Sequence, residues 1–190
     1  MNVRTVFART GRTFGIIAAL LAVAAGVAAP AQAAPAATVQ ATDGFEGNPW
    51  SHWQGITDGD GVAGADINQG LARSGANDGW LYTGTGYAAE RLAVPVSGWA
   101  NRRYCTAQIF AQTVSYAAQV GLEIWSPANG WVKLTGATGW ITPGGYQPIT
   151  TLPIDLSGQS TVYVQAIYGN NGAVPQFVRL DDASLTCVSS

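Results

Sequence analysis

The sequence is poor in charge, histidine, cysteine and helical periodicity, and each shortage excludes something. Only 11% of its 190 residues are charged, nine basic against eleven acidic. No basic run occurs, which speaks against nucleic acid and anionic membrane surfaces as partners. The one histidine, His52, leaves no His-x-x-x-His pair and no Cys-His dyad, and there is no Gly-x-Ser-x-Gly elbow. A glycosidase needs only two carboxylates. Glu46, Glu90 and Glu123 could supply them, but nothing in their spacing turns two of them toward one cleft. His52, between Trp50 and Trp53, reads as a loop or packing residue. Beyond position 33 no stretch of ten residues has a 3.6-residue apolar period, so no amphipathic helix is predicted.

The long apolar run lies at the start. Arg4, Arg9 and Arg12 precede the run from Phe14 to Ala29, and Ala31-Gln32-Ala33 has the small-x-small form of a signal-peptidase site. The run is short for a retained membrane anchor and has no stop-transfer pattern behind it. Residues 1–33 are therefore predicted to be a signal peptide, and the protein to be secreted and extracellular, off the membrane once cleaved. Three of the nine basic residues lie in that segment and none of the eleven acids, so the rest carries six basic and eleven acidic groups, a formal charge of −5. Its 157 residues are enough for one domain with a full core. Residues 34–41 are small and featureless and read as a flexible leader, with the domain over 42–190. In an exported chain Cys105 and Cys187 are expected to pair, a bridge worth about 4.5 kcal/mol at most in the chain-entropy model. Two free buried thiols are the alternative.

Alternation of period two dominates the remainder. Cys105, Ala107, Ile109 and Ala111 oppose Tyr104, Thr106, Gln108 and Phe110. Val120, Leu122 and Ile124 oppose Glu123 and Trp125, and Val162, Val164 and Ala166 oppose Tyr163, Gln165 and Ile167. Leu92, Val94 and Val96 share a face, and Pro95, which lacks a ladder donor, places their strand at a sheet edge. Pro127-Ala128-Asn129-Gly130 reads as a hairpin turn into Trp131-Val132-Lys133-Leu134, with Asn-Gly supplying positive φ. Gly169-Asn170-Asn171-Gly172 reads as the separator between the last two strands, and the phase of Ile149, Leu152, Ile154 and Leu156 stays open. Glycine makes up 21 of the 157 residues. Eight or more short strands with such loops imply an all-β fold, a two-sheet β-sandwich of jelly-roll type.

In the last strand the alternation slips. Val178 and Leu180 are apolar on even numbers, whereas Ala183, Leu185 and Cys187 are apolar on odd ones, so Asp181-Asp182 is predicted to be a bulge. Two adjacent carboxylates repel each other unless positive charge lies nearby. A hard cation would supply it; so would Arg73 or Arg179.

Asp43-Gly44-Phe45-Glu46, Ala72-Arg73-Ser74-Gly75 and Val178-Arg179-Leu180-Asp181-Asp182-Ala183-Ser184-Leu185 together resemble the calcium-containing jelly-roll carbohydrate-binding modules of bacterial xylanases and cellulases, whose fold is galactose-binding-like. The resemblance implies a structural Ca2+ held by Glu46, by carbonyls of Gly44 and near Ser74, and by Asp181 or Asp182. An oxygen set of carboxylates and carbonyls suits calcium, which takes six to eight oxygens in irregular geometry.

The ligand the resemblance implies is a polysaccharide or oligosaccharide, bound without catalysis. Two surfaces could take it. If the three alternating runs share a sheet, their outward faces unite Tyr104, Gln108, Glu123, Trp125, Tyr163 and Gln165, of which Gln108, Glu123, Trp125, Tyr163 and Gln165 are the predicted ligand-binding set. The competitor is a loop-end site from Trp50, Trp53, Trp80, Tyr82, Trp140 and Tyr146. Rings of this kind also fill sandwich cores, and mid-strand glutamines also sit on solvated faces. A secreted structural or protein-interaction domain without a sugar site is the second reading, and a small glycoside hydrolase the third. The oligomeric state is not legible.

Overall fold

The computed structural model describes residues 38–188; the predicted signal peptide and residues 34–37 lie outside them. Nine strands follow in order: β1 (Thr38–Asp43), β2 (Trp53–Gly59), β3 (Val62–Ile67), β4 (Asn77–Pro95), β5 (Cys105–Thr113), β6 (Ala118–Ser126), β7 (Val132–Ile141), β8 (Gln147–Thr150) and β9 (Thr161–Val188). Thr38–Ala41, read from sequence as leader, are the first residues of β1 and pair with Leu185–Val188.

Two strands organise the rest. β4 and β9 are antiparallel neighbours from Pro95↔Thr161 to Gly79↔Leu180, with a register shift between Thr83 and Thr85. Each runs through both layers of a sandwich. In the first layer β3, the first half of β4, the second half of β9, β5 and β8 lie side by side, and β1 extends the edge of β9. In the second layer the order is β2, second half of β4, first half of β9, β6 and β7.

This explains where sequence and structure differ. Gly169–Gly172 does not separate two strands, because the chain there passes from one layer to the other within β9. Pro95 does not mark an edge strand along its length; β2 reaches β4 only as far as Leu92, so the proline sits beyond that pairing, where no donor is needed. At the end of β6 the turn is one helical turn, Ala128–Trp131, with positive φ at Gly130 and Trp131. Ile149 is buried in β8, Ile154 bridges to Cys105, and Leu156 is buried while Leu152 is exposed.

The core lies between the layers. Ile109, Val178, Leu180 and Leu185 face Val120, Leu122, Ile124, Val162 and Val164, all essentially inaccessible to water. Cys105 and Cys187 stand directly opposite each other on β5 and β9, both buried, and form the expected disulfide.

The β1–β2 connection plugs one end. Phe45 is fully buried and stacks on Trp53 at 4.2 Å, and the Trp53 indole N–H donates to Asp43 Oδ1 at 2.7 Å. Gly79 on β4 makes room for this plug, since a Cβ there would lie 2.3 Å from the Phe45 ring. Replacing Gly79 by Ala should therefore lower stability by about 1–3 kcal/mol, the usual cost of overpacking. Urea denaturation measures it, and an unchanged midpoint would contradict the plug.

Candidate functional site

The outer face of the second layer is built in rows, because residues in register on neighbouring strands point the same way. One row runs Arg91, Gln165, Glu123 and Gly136 across β4, β9, β6 and β7. The next runs Ala93, Tyr163, Trp125 and Lys133. On the other side Ala89, Ile167, Gly121 and Thr138 form a third row. Polar groups are thus flanked by the rings of Tyr163 and Trp125 on one side and by uncharged residues, with Ile167 lying over Gly121, on the other.

The polar row is one hydrogen-bonded chain. Arg91 Nε donates to Gln165 Oε1 at 2.8 Å, and Nη2 donates to the same oxygen. Gln165 Nε2 donates to Glu123 Oε2 at 3.1 Å, which also accepts the Trp125 indole N–H at 2.8 Å, while Lys133 Nζ lies 3.2 Å from Glu123 Oε1. Gln165 is only 4% exposed. A buried amide must be satisfied on both ends or cost stability, so the chain holds Arg91 and Glu123 in place. Trp131 closes over this row: its ring lies 4.7 Å from Tyr163 and 4.4 Å from the Arg91 guanidinium carbon. The positive φ of Trp131 aims it there. A shallow groove of about 380 Å³ runs beside Glu123 and Lys133 over Gly136 and Thr138.

Four of the five predicted ligand residues, Glu123, Trp125, Tyr163 and Gln165, are thus brought together. Gln108 is not among them. The premise that the three alternating runs share a sheet does not hold, because β5 pairs with the second half of β9 and β6 with the first. Gln108 lies on the other layer, donating to Thr150 Oγ1 at 2.9 Å. Arg91, Trp131 and Lys133 were missed. Arg91 is in phase with Ala89 and Ala93, opposite Leu92 and Val94, so the strand's own alternation points to it.

The loop-end rings do not form one site. Trp53 is buried against Phe45. Trp80 and Tyr82 contact Phe177 on the first layer. Trp50 and Trp140 are exposed, and Tyr146 donates to the Leu71 carbonyl at 3.0 Å. Glu46, Glu90 and Glu123 likewise occupy three separate environments.

The residues predicted as metal ligands lie around one loop, residues 73–77. The β5–β9 register shifts opposite Asp181-Asp182, and Asp182 has a φ of 47°, so the slip in alternation is a bulge. Asp181 is fully buried; its Oδ2 accepts the Arg73 and Ser74 N–H groups at 2.7 and 2.9 Å. Burial pushes its carboxyl up to about 6, against the pull of these bonds. Asp182 accepts the Ser74 hydroxyl at 2.6 Å and the Arg73 guanidinium. Arg179 is committed to Asp66 and Asp78 at 2.9 and 2.7 Å, so Arg73 is the positive partner of the pair. Glu46 Oε1 accepts Ala76 and Asn77 N–H at 2.8 and 3.1 Å and packs over Gly75, where any Cβ would collide with it. A Cβ on Gly44 would lie 3.3 and 3.4 Å from Asp182 Oδ1 and Asp181 Oδ1. Among the described residues no three His, Cys, Asp or Glu side chains gather as a metal group. A cation here therefore needs backbone carbonyls to complete its shell, which calcium accepts.

No family model matches the chain, and no curated protein matches it. Solved structures of similar fold include carbohydrate-binding modules. A family 11 module from Clostridium thermocellum, solved with a β-1,3-1,4-mixed-linked tetrasaccharide, is 19% identical with a TM-score of 0.53, over 80% of this chain and 96% of its own. The CBM22-1 xylan-binding domain of Paenibacillus barcinonensis Xyn10C is 11% identical with a TM-score of 0.56, over 79% and 94%. A family 61 module solved with β-1,4-galactotriose is 11% identical with a TM-score of 0.55, over 75% and 92%. Likeness at these identities establishes the jelly-roll fold.

One carboxyl stands apart from both clusters. Glu90 is in phase with Ala88 and Leu92 on the inner face, 4% exposed, with no hydrogen-bond partner for Oε2. It borders a cavity of about 50 Å³ with Phe45, Trp53, Gly55 and Ala63. Burial pushes its carboxyl up from 4.5 to about 7. The folded protein then holds a proton that the unfolded chain releases, so the contribution of Glu90 to stability is greatest below about pH 4.5, falls as pH rises to about 7, and is level beyond. The loss is about 3 kcal/mol. Glu90→Gln should remove that part of the slope in urea melts from pH 4.5 to 8; a wild-type slope in the variant would contradict the buried acid.

Proposed function

We propose that this protein is a secreted, non-catalytic carbohydrate-binding domain whose glycan lies on the outer face of β4, β9, β6 and β7. The observation that supports it is the pair of rows just described: Trp125, Tyr163 and Trp131 beside the fixed chain Arg91, Gln165 and Glu123. Pyranose rings present apolar faces that stack on aromatic rings, and hydroxyls that pair with amides, carboxylates and guanidinium groups. The shallow groove beside Glu123 and Lys133, over Gly136 and Thr138, leaves space for the chain of a polysaccharide to continue. Structures of the same fold were solved with oligosaccharides, which agrees with this reading.

A structural calcium ion at Gly44, Glu46, Ser74, Asp181 and Asp182 is part of the proposal. Its support is a fully buried Asp181 that carries only backbone donors beside a second carboxylate. The ion would tie the β1 end of the chain to β9, and at 100 times its dissociation constant would add about 2.7 kcal/mol. Chelator should then lower the melting temperature of the wild type, and Glu46→Gln should blunt the response. Equal melting with and without chelator in both proteins would remove calcium from the account.

For the glycan site, Trp125→Ala should weaken binding at least about tenfold, a loss of about 1.4 kcal/mol, while leaving the melting temperature near that of the wild type. Affinity electrophoresis on xylan, mixed-linked β-glucan, galactan and chitin tests this. Retained binding in Trp125→Ala with loss in a folded Trp50→Ala would move the site to the loops, and no retardation on any polymer would favour a protein-interaction domain.

A further inference from the structure

Arg91 carries more charge than its surroundings use. The other arginines of the β-sheet clusters face acids: Arg73 meets Asp182, and Arg179 lies between Asp66 and Asp78. Arg91 has no carboxylate partner among the described residues. Its Nε and Nη2 both donate to one neutral amide oxygen, Gln165 Oε1, and that amide is itself held by Glu123. The acid in the row is already matched, with Lys133 at Glu123 Oε1 and two N–H groups at Oε2. Two cations and one anion therefore leave the face one unit positive, on a chain whose formal charge is −2 overall.

The geometry of the guanidinium adds direction to the charge. Gln165 occupies its side edge, through Nε and Nη2. The end edge, formed by Nη1 and the second hydrogen of Nη2, has no acceptor among the described residues. Trp131 lies against the plane of the group at 4.4 Å, with Trp125 and Tyr163 about 6 Å away. The fork is thus held rigid with one pair of parallel N–H donors free, and two parallel donors match the two oxygens of a carboxylate. Partial burial also depresses the Arg91 pKa, with desolvation the main cause, so the site bears a cost that a bound anion would offset.

Resting on the glycan reading above, we infer that the ligand is an acidic glycan, with the carboxylate of a uronic acid seated end-on against Arg91 while a neighbouring sugar stacks on Trp125 or Tyr163. A neutral hydroxyl can accept one of the two free hydrogen bonds but leaves the charge unmatched.

Calorimetric titration with two matched pairs tests the inference: xylo-oligosaccharide with and without a glucuronic acid branch, and galacturonate against galactose oligomers of equal length. The acidic member should bind at least about tenfold more tightly at low salt, and its advantage should shrink in about 0.5 M NaCl because the pair is only partly buried. Arg91→Gln should bring the acid-to-neutral ratio close to one, whereas Arg91→Lys, which keeps the charge and loses the fork, should hold an intermediate ratio. Melting temperatures identify any variant that fails to fold, and the wild-type ratio and its salt dependence decide the matter without the variants. Equal wild-type affinity for acidic and neutral members would overturn the uronate inference and leave the glycan site standing. No binding of any oligomer, or full binding by Trp125→Ala, would overturn both.

Discussion

The antiparallel pairing of β4 with β9 is the constraint on which the rest of this structure depends. Both strands run through both layers, so one ladder sets the register of each sheet. At one end it places Arg91 opposite Gln165, and β6 then brings Glu123 to the other side of the same glutamine. At the other end it carries Asp181 and Asp182 to the loop of Arg73 and Ser74. A slip of one residue would turn Gln165 inward and Val164 outward, so the platform and the core stand or fall together.

Burial of polar groups follows the same logic in three degrees. Gln165 is buried but satisfied at both ends, and serves as a spacer between opposite charges. Asp181 is buried with backbone donors at both oxygens; burial raises its proton affinity and the adjacent Asp182 carboxylate adds to this, while the donors oppose it. Glu90 is buried with one oxygen unpaired and is kept neutral in the folded state up to near-neutral pH. The cost of a buried polar group scales with what is left unpaired, so the satisfied Gln165 can hold a rigid site while Glu90 makes the fold pH-sensitive.

Much of this was legible in the chain itself where the cause is local. The slip of parity at Asp181-Asp182 is a bulge, the two cysteines are paired, and the mixed faces of β6 and β9 meet, because side-chain direction in a strand follows from position alone. What depends on partner choice was hidden. Gln108 has the same alternation as Gln165, and nothing in either run says that β5 joins the other layer. Arg91 was masked because its strand carries Glu90 on the apolar face, which blurs the pattern that would set Arg91 outside. Trp131 was read as the first residue of a strand, whereas a left-handed backbone at that position swings its ring back over Arg91 and Tyr163. The Gly-Asn stretch of β9 has the composition of a loop, yet it is where the strand bends between layers.

The central claim is that ligand meets the protein on the outer face of β4, β9 and β6. Two-dimensional nitrogen–proton spectra during oligosaccharide titration test it most directly, since indole and amide N–H signals report residue by residue. The account predicts that the Trp125 and Trp131 indole signals and the Gln165 side-chain amide move together and saturate at one concentration, while the buried Trp53 and the Trp80 indole on the opposite layer stay in place. Shifts centred on Trp80 and the Phe177 backbone, with Trp125 and Gln165 unmoved, would contradict it.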